Sequence, residues 1–204
     1  MANTVTTIGT PADSAGASAN DGRSGSVHEM LRGGDRVLIR PIHKNDVEME
    51  RKFIETLSPE SRRFRFLETL NSPSDALLQQ FTTINPLTDR AYVAVIAAGT
   101  QEHEVGVARF SAQPDGKDCE FAVVVSDAWQ QKGLGTLLMQ HLIAAAQKLG
   151  IERMHSSDPH DNDLMRKFAA HLKLDHKRDP HDNTQILYSL DLRAPAARVS
   201  ADAA

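Results

Sequence analysis

The first feature that could do chemistry is a pair of glycines, Gly133 and Gly135, in the stretch "DAWQQKGLGTLL". The pair follows the apolar run "EFAVVV" and precedes a segment whose apolar residues recur at three and four positions, which is typical of an amphipathic helix. The pattern predicts a turn from a strand into a helix. Backbone N–H groups at a helix N-terminus and the helix dipole favour an anion. The turn is therefore a candidate phosphate site, where glycine would let the backbone approach closely.

Two well-known phosphate loops do not fit this spacing. A Walker A loop needs its lysine directly after the second glycine, whereas Lys132 precedes Gly133. A dinucleotide-binding loop needs a third small residue at position 138, which is Leu138. A plain strand-to-helix turn, with glycines for tight packing, remains open as the alternative.

The second feature is Glu120, which interrupts the apolar run "CEFAVVV" near its start. A charge in such a run is unfavourable unless it lies in a cleft or has a partner, so Glu120 is a candidate functional carboxylate. The alternative is a carboxylate at a strand edge that faces solvent. Because side chains alternate along a strand, Cys119 is predicted to face away from Glu120 and to be a small buried residue.

The elements that must position these residues form a mixed α/β pattern with a largely antiparallel sheet. Apolar and β-branched runs predict a first strand, a meander of three strands, one further strand and a terminal hairpin. These runs are "RVLIRPI", "RAYVAVIAAG", "EVGVARFSAQ", "CEFAVVVS", "ERMHSS", "LDHKR" and "QILYSLDL". Ser-Pro and Asn/Asp openings and helical spacing predict helices in "KNDVEMERKFIETL", "SPESRRFRFL", "SPSDALLQQFTTI", 133–149 and "DNDLMRKFAAHL".

Composition indicates the extent of the folded domain, its cellular compartment and the classes of partner that it disfavours. Residues 1–33 and 194–204 are poor in large apolar side chains, so both are predicted to be disordered tails around one folded domain at 36–193. A net charge of −4 argues against a dedicated nucleic-acid binder. The single cysteine excludes an intramolecular disulfide and favours a reducing compartment, hence the cytoplasm. No segment is long and apolar enough to predict a membrane span or a secretory signal.

The segment "QQKGLG", Gln130–Gly135, resembles the Q/R-x-x-G-x-G/A pyrophosphate loop of the GNAT superfamily of acyl-CoA-dependent N-acyltransferases. The resemblance covers residues 36–192 and is strongest to the Pat-type protein lysine acetyltransferases. The segments that carry it are "LIRPI", "LSPESRRFRF", "EFAVVV", "WQQKGLGTLLM" and "NDLMRKFAAHL", in the same order. It implies the GNAT fold, a mixed, mostly antiparallel sheet flanked by helices, and acetyl-CoA as co-substrate.

The resemblance also implies roles for particular residues. Val123, Val124 and Val125 would present strand backbone to the pantetheine arm of coenzyme A. Asn162 matches a position whose side chain contacts the same arm, and Glu120 matches the Pat-type general base. The residues implied to take the pyrophosphate are Gln130, Gln131, Lys132, Gly133, Leu134, Gly135 and Thr136.

The implied reaction is acetyl transfer to a primary amine, with a protein lysine as the favoured acceptor. An amine with a pKa near ~10.4 is protonated at neutral pH, so a carboxylate such as Glu120 must take its proton before it can attack. Two alternatives stay open: a small-molecule amine as acceptor, and a regulatory module that binds acyl-CoA without turnover. An acetyl relay through Cys119 is disfavoured by its predicted orientation. The sequence departs from many relatives at Ala169, where they have a tyrosine, and at Lys173, where they have glycine.

Two further clusters are candidates for function. The pentapeptide "DPHDN" occurs at 158–162 and 179–183, and we interpret both copies as turns because no zinc-type spacing accompanies the histidines. No metal cofactor is therefore predicted. The cluster Arg62, Arg63 and Arg65 lies in a helical region that borders the acceptor groove in GNAT proteins. It is either an attractive surface for an acidic protein or one solvated helix face.

Overall fold

A computed structural model describes residues 25–66 and 72–193. Within them, eight strands form one sheet in the order β1-β2-β3-β4-β5-β6-β8-β7. Neighbouring strands are antiparallel except β5 and β6, which are parallel. The strands are β1 Val27–Met30, β2 Arg36–Pro41, β3 Asp89–Ala98, β4 Gln101–Ala112, β5 Asp118–Val125, β6 Arg153–Pro159, β7 Asp175–Arg178 and β8 Gln185–Asp191. The predicted mixed, mostly antiparallel sheet and its central meander are confirmed.

Five helices flank the sheet in the described part of the chain. They are α1 Val47–Thr56, α2 Pro59–Phe66, α3 Asp75–Thr82, α4 Leu134–Lys148 and α5 Asp163–Leu172. The predicted cap of α2 is confirmed, because the N–H of Ser61 donates to Oγ of Ser58 at 3.1 Å. At the far end of α5, Lys173 takes the left-handed conformation with φ 56°, as expected where many relatives have glycine.

The helices divide the core between the two faces of the sheet. Phe53 of α1 and Leu78 of α3 pack with Val107 of β4 on one face. The α4 and α5 helices pack on the other face, which also holds Ala108, the next residue of β4. This alternation follows from the two-residue period of a strand, and it buries β4 on both faces.

One boundary predicted from composition is wrong. Residues 25–33 were expected to belong to a disordered tail, but β1 pairs with β2 from Val27 opposite Ile39 to Met30 opposite Arg36. Leu31 directly after it is 4% exposed and belongs to the core. The strand is mostly exposed and held by its ladder to β2 rather than by apolar burial, so composition gave no signal. The other tail residues, 1–24 and 194–204, lie outside the described residues.

The parallel pair β5–β6 is short and then opens. Its register joins Asp118–Glu120 to Arg153–His155 only, although β5 continues to Val125 and β6 to Pro159. Beyond Glu120 the two strands therefore diverge, and the edge of β5 that faces β6 lacks a strand partner. Such an edge can pair with an extended ligand.

Candidate active site

The glycine turn joins β5 to α4 as predicted. After a short 3₁₀ turn at Asp127–Trp129, the chain enters α4 with Gly133 as N-cap at φ 87°. Gln131 is also left-handed, with φ 60°. No side chain caps this helix end. The first N–H groups of α4 therefore have no intrahelical acceptor and are available to an anion.

A cavity of about 520 Å³ lies between this turn, the open part of the β5–β6 pair and α5. The predicted residues that line it are Glu120, Val123, Val124, Val125, Gln130, Gln131, Gly133, Gly135, Thr136 and Asn162. The second glycine serves packing, because a Cβ at Gly135 would lie 3.3 Å from Cε2 of Phe168. The structure thus brings the glycine turn, the strand edge and the carboxylate to one cavity.

Two predicted loop residues turn their side chains elsewhere. Nζ of Lys132 lies 3.0 Å from Oδ2 of Asp35 and 4.6 Å from the centre of the Trp129 ring. Leu134 is 1% exposed and belongs to the core. Neither side chain lines the cavity, so any contact that these two residues make with an anion there uses the backbone.

Gln130 closes the turn against the strand. Its Nε2 donates to the carbonyl of Val125 at 3.1 Å and to Oγ of Ser61 at 3.4 Å. Asp127 anchors the same region to α2 through Oδ1, which accepts from Oγ of Ser58 at 2.7 Å. Burial opposes ionisation of Asp127, but hydrogen bonds from the N–H and Oγ of Ser58 and from Oγ of Ser61 outweigh it and lower the pKa of Asp127. The same hydrogen bonds fix the turn relative to α2.

Glu120 lies at a junction. In the sheet, Glu120 pairs with Ser111 of β4 on one side and with His155 of β6 on the other. The residue is exposed. It borders both the large cavity and a second one of about 260 Å³, whose lining includes Phe81 and Asp89. A carboxylate there can reach a group that enters from either side. We call the large cavity the donor cavity and the smaller one the acceptor cavity, after the roles that we propose for them.

Residues 54–173, more than half of the chain, match the Acetyltransferase (GNAT) family. The chain belongs to this family. Its sequence is 40% identical over 164 residues to acetyltransferase PA5475 of Pseudomonas aeruginosa, covering 80% of this chain and 88% of that protein.

A second relative and a solved structure extend the likeness. The chain is 29% identical over 144 residues to acetyltransferase Pat of Mycolicibacterium smegmatis, covering 70% of this chain and 42% of that longer protein. Its fold is similar to the GNAT domain of S. lividans PAT, with a TM-score of 0.75 and 24% identity over 81% of this chain and 96% of that one. The resemblance to Pat-type GNAT domains is confirmed. The protein is an acetyltransferase, and GNAT acetyltransferases use acetyl-CoA.

Sequence reasoning missed one carboxylate of this acetyltransferase. Asp158, near the end of β6, lines the donor cavity. Oγ of Ser156 donates to its Oδ2 at 3.0 Å, and Nδ2 of Asn162 donates to its Oδ1 at 3.4 Å. Burial raises the pKa of Asp158 despite these hydrogen bonds. The available signal was an acidic residue at the end of a strand, which the turn interpretation of "DPHDN" obscured.

Asn162 is more structural than its predicted role suggests. Its Oδ1 accepts from the N–H of Met165 at 3.0 Å and so caps α5. Its Nδ2 donates to Oδ1 of Asp158, and the residue is buried at the wall of the donor cavity. The side chain therefore fixes the start of α5 and the Asp158 carboxyl together.

The arginine cluster separates in the GNAT domain. Nη2 of Arg63 pairs with Oδ2 of Asp161 at 2.9 Å on the surface. Arg65 turns inward, is half-buried and lines both cavities, so one solvated helix face is the wrong interpretation for it. Burial and the neighbouring Arg109 lower the pKa of Arg65 to about 10, which leaves the guanidinium charged at neutral pH.

Arg109 belongs to a buried group of charges behind the acceptor cavity. Its Nη2 lies 3.3 Å from Oε1 of Glu50, and its guanidinium stacks 4.3 Å from the centre of the Phe81 ring. Both carboxyl oxygens of Glu104 and Oε2 of Glu50 are buried with no hydrogen-bond partner in the described part of the chain. Burial, reinforced by the Glu50 carboxylate, raises the pKa of Glu104 well above its ordinary range. Sequence patterns gave no sign of this group.

Cys119 lies on the opposite face of β5 from Glu120, as predicted. It is fully buried in the core, and burial raises the pKa of its thiol to about 12. A neutral thiol that borders neither cavity is not a nucleophile for an acyl group.

In 25–66 and 72–193, no group of three or more His, Cys, Asp and Glu side chains is placed to hold a metal ion. No helix in those ranges is long and apolar enough to cross a membrane.

Proposed function

We propose that this acetyltransferase transfers the acetyl group of acetyl-CoA to a protein lysine by direct attack, with Glu120 as general base. The observation that carries the proposal is the position of Glu120 at the junction of the donor and acceptor cavities. An amine entering one cavity would meet a thioester lying in the other beside this carboxylate. The single cysteine is the ground for placing the reaction in the cytoplasm.

The donor cavity fits coenzyme A in two respects. The uncapped start of α4, with Gly133 at φ 87°, offers backbone N–H groups to the pyrophosphate. The unpaired edge of β5 from Val123 to Val125 offers backbone groups to the amides of the pantetheine arm. Both contacts use backbone atoms, so Lys132 and Leu134 can belong to the loop although their side chains point away.

Glu120 would supply the proton chemistry. It accepts a proton from the lysine ammonium, directly or through water, and frees the lone pair that attacks the thioester carbonyl. The N–H of Val123 is the proposed donor to the oxyanion that then forms. Collapse breaks the carbon–sulfur bond and releases coenzyme A as its thiolate. The second proton on the attacking nitrogen passes to that thiolate or to water, and Glu120 returns its own proton to solvent. No covalent intermediate on the protein is needed.

The lysine acceptor rests on likeness to the Pat branch. The resemblance of "LSPESRRFRF" and "NDLMRKFAAHL" to that branch and the 29% identity to acetyltransferase Pat support it. A small amine as acceptor and an acyl-CoA sensor without turnover are the competing functions. Labelled acetyl-CoA incubated with the protein and a cell lysate discriminates them, because the label goes to proteins, to small amines or to neither.

The first prediction concerns Glu120→Gln. We expect kcat for acetyl transfer to fall by about 10²- to 10⁴-fold, because the amide cannot accept the proton. The dissociation constant for acetyl-CoA should stay within about twofold, since the amide keeps the size of the side chain. Steady-state kinetics and calorimetry measure the two quantities.

The matched control is Glu60→Gln, an exposed carboxylate at the start of α2 that borders neither cavity. It should leave both quantities unchanged. Full turnover by Glu120→Gln would remove the general-base role, and absence of turnover in the wild type would favour the sensor.

A further inference from the structure

Arg65 lines both cavities and has no role in the proposed reaction. Its charged group lies 5.1 Å from the centre of the Phe66 ring and 5.3 Å from that of Phe81. Phe81 borders the acceptor cavity and not the donor cavity. Stacking on an aromatic face holds a guanidinium in a fixed position. Arg65 lines both cavities, and its contact with Phe81 fixes its guanidinium relative to the acceptor cavity.

No carboxylate or carbonyl among the described residues lies within hydrogen-bond distance of Arg65. Glu120 and Asp158 are near enough to favour its charge, but neither forms an ion pair with it. A half-buried guanidinium has lost part of its hydration, and a bound anion would replace it. The arrangement indicates an anion-binding position at the junction.

The other charges of the acceptor cavity already have partners. Arg109 pairs with Glu50. Nη1 of Arg90 donates to the carbonyls of Pro86 and Asp89, each at 2.6 Å. Oδ1 of Asp89 accepts from Oγ of Ser111 at 2.8 Å. Among the described residues that line this cavity, Arg65 is the guanidinium that has no hydrogen-bond partner, so it can bind an incoming anion.

We propose that Arg65 binds a carboxylate carried by the acceptor, so that the acceptor cavity selects amines that also carry a carboxylate. The amine would face Glu120 while the carboxylate meets the guanidinium. The selection rests on the proposed function, because it assumes an amine acceptor. The carboxylate belongs either to an acidic residue beside a protein lysine or to a free amino acid. An anion on the acyl group is the competing location, and it is disfavoured because Phe81, which fixes the Arg65 guanidinium, borders the acceptor cavity and not the donor cavity.

The experiment compares acceptors that differ only in the carboxylate. One pair is a lysine peptide with aspartate or asparagine next to the lysine, and the other is Nα-acetyl-lysine and its methylamide. For the wild type, we expect kcat/KM to be at least about tenfold higher for the preferred carboxylate-bearing member. The pair that shows the larger ratio identifies the source of the carboxylate.

Arg65→Met should remove that ratio and leave kcat/KM for the neutral members within about threefold. Arg65→Lys should restore part of it, since the charge remains but the two-pronged geometry is lost. Arg63→Met is the matched control on the same helix and should keep the full ratio, because Arg63 pairs with Asp161 on the surface. A circular-dichroism melt of each variant checks that it is folded.

Three results would overturn the proposal. The first is an equal kcat/KM of the wild type for both members of each pair. The second is a ratio that persists in Arg65→Met. The third is an Arg65→Met variant that changes the preference between succinyl-CoA and acetyl-CoA instead. Calorimetric binding of Nα-acetyl-lysine and its methylamide, in the presence of coenzyme A, gives the same comparison without turnover. If no amine is acetylated but this binding difference depends on Arg65, the proposed function fails while the carboxylate site stands.

Discussion

The donor and acceptor cavities meet at Glu120 but offer different groups to a ligand. The donor cavity contains the glycine turn, at Gln131, Gly133 and Gly135, and the open edge of β5, whose backbone groups have no strand partner, together with side chains such as Asp158. The acceptor cavity is lined by charged side chains, among them Arg65, Asp89 and Arg109. Backbone recognition suits a ligand common to the whole family. Side-chain charges, which can change without altering the fold, suit the part of the reaction that distinguishes one enzyme from another.

The largest expected effect tests the charged side of this comparison. Arg109→Met should lower the free energy of unfolding by about 3–5 kcal/mol, because Glu50, 2% exposed, would keep a buried charge without its partner. Urea denaturation followed by circular dichroism measures the change.

Arg90→Met is the control for that prediction. Arg90 lines the same cavity but bonds only backbone carbonyls, so its loss should be below about 1 kcal/mol. Equal losses for both variants would show that Glu50 does not depend on Arg109.

Glu104→Gln tests the same buried group of charges through the pH dependence of the free energy of unfolding. The raised pKa of Glu104 means that the folded protein keeps a proton that the unfolded chain releases above about pH 4.5. The free energy of unfolding of the wild type should therefore fall as pH rises from there through the raised pKa. Glu104→Gln should be free of this fall and gain on the order of 1–3 kcal/mol over the wild type at high pH.

Chemical denaturation at intervals from pH 4 to pH 9 gives the two profiles. Parallel profiles would mean that Glu104 is ionised in the folded protein. Glu60→Gln, at an exposed position, should follow the wild type throughout.

The backbone side of the comparison is tested by Gly133→Ala. A Cβ at Gly133 meets nothing within 4 Å, so the expected loss of about 1 kcal/mol in stability comes from its left-handed φ alone. If the turn binds pyrophosphate, acetyl-CoA affinity should also fall by about tenfold.

Gly116→Ala provides the control. Gly116 has φ 67°, equally open surroundings and a place in the turn between β4 and β5, away from both cavities. It should lose similar stability without any change in acetyl-CoA affinity. Equal affinity losses would remove the turn from the donor site.

The smallest effect is expected at the end of α5, which borders the donor cavity. Lys173→Gly should raise the free energy of unfolding by about 0.5–1 kcal/mol, because glycine takes φ 56° without strain. Lys173→Ala keeps the strain and should give no such gain. Thermal denaturation of the two variants and the wild type measures the difference, and equal melting temperatures would contradict the prediction.

The sequence predicted the donor side better than the acceptor side. The turn before α4 has a fixed spacing and follows a recognisable strand, so its position could be predicted residue by residue. Local rules also predicted the cap at Ser58 and the outward and inward faces of Glu120 and Cys119. Composition failed at β1, because a short exposed strand held by a neighbour's hydrogen bonds has no apolar signature of its own.

The acceptor side escaped prediction because its contacts join distant parts of the chain. Glu50 and Arg109 come from α1 and β4, and Arg65 stacks on a ring of α3. Nothing in the neighbourhood of Arg65 separates it from Arg63, yet one faces the cavities and the other the surface.

The sequence by itself determined the order of the helices and of the strands from β2 onward, the family and the turn that begins α4, because these depend on periodicity, local motifs and short-range backbone geometry. Only the tertiary structure decided that Asp158 enters the donor cavity, that Arg65 turns inward and that Glu104 is buried beside another carboxylate. Those outcomes depend on which elements pack together, since burial and the sum of nearby charges are set by neighbours that are remote in the chain.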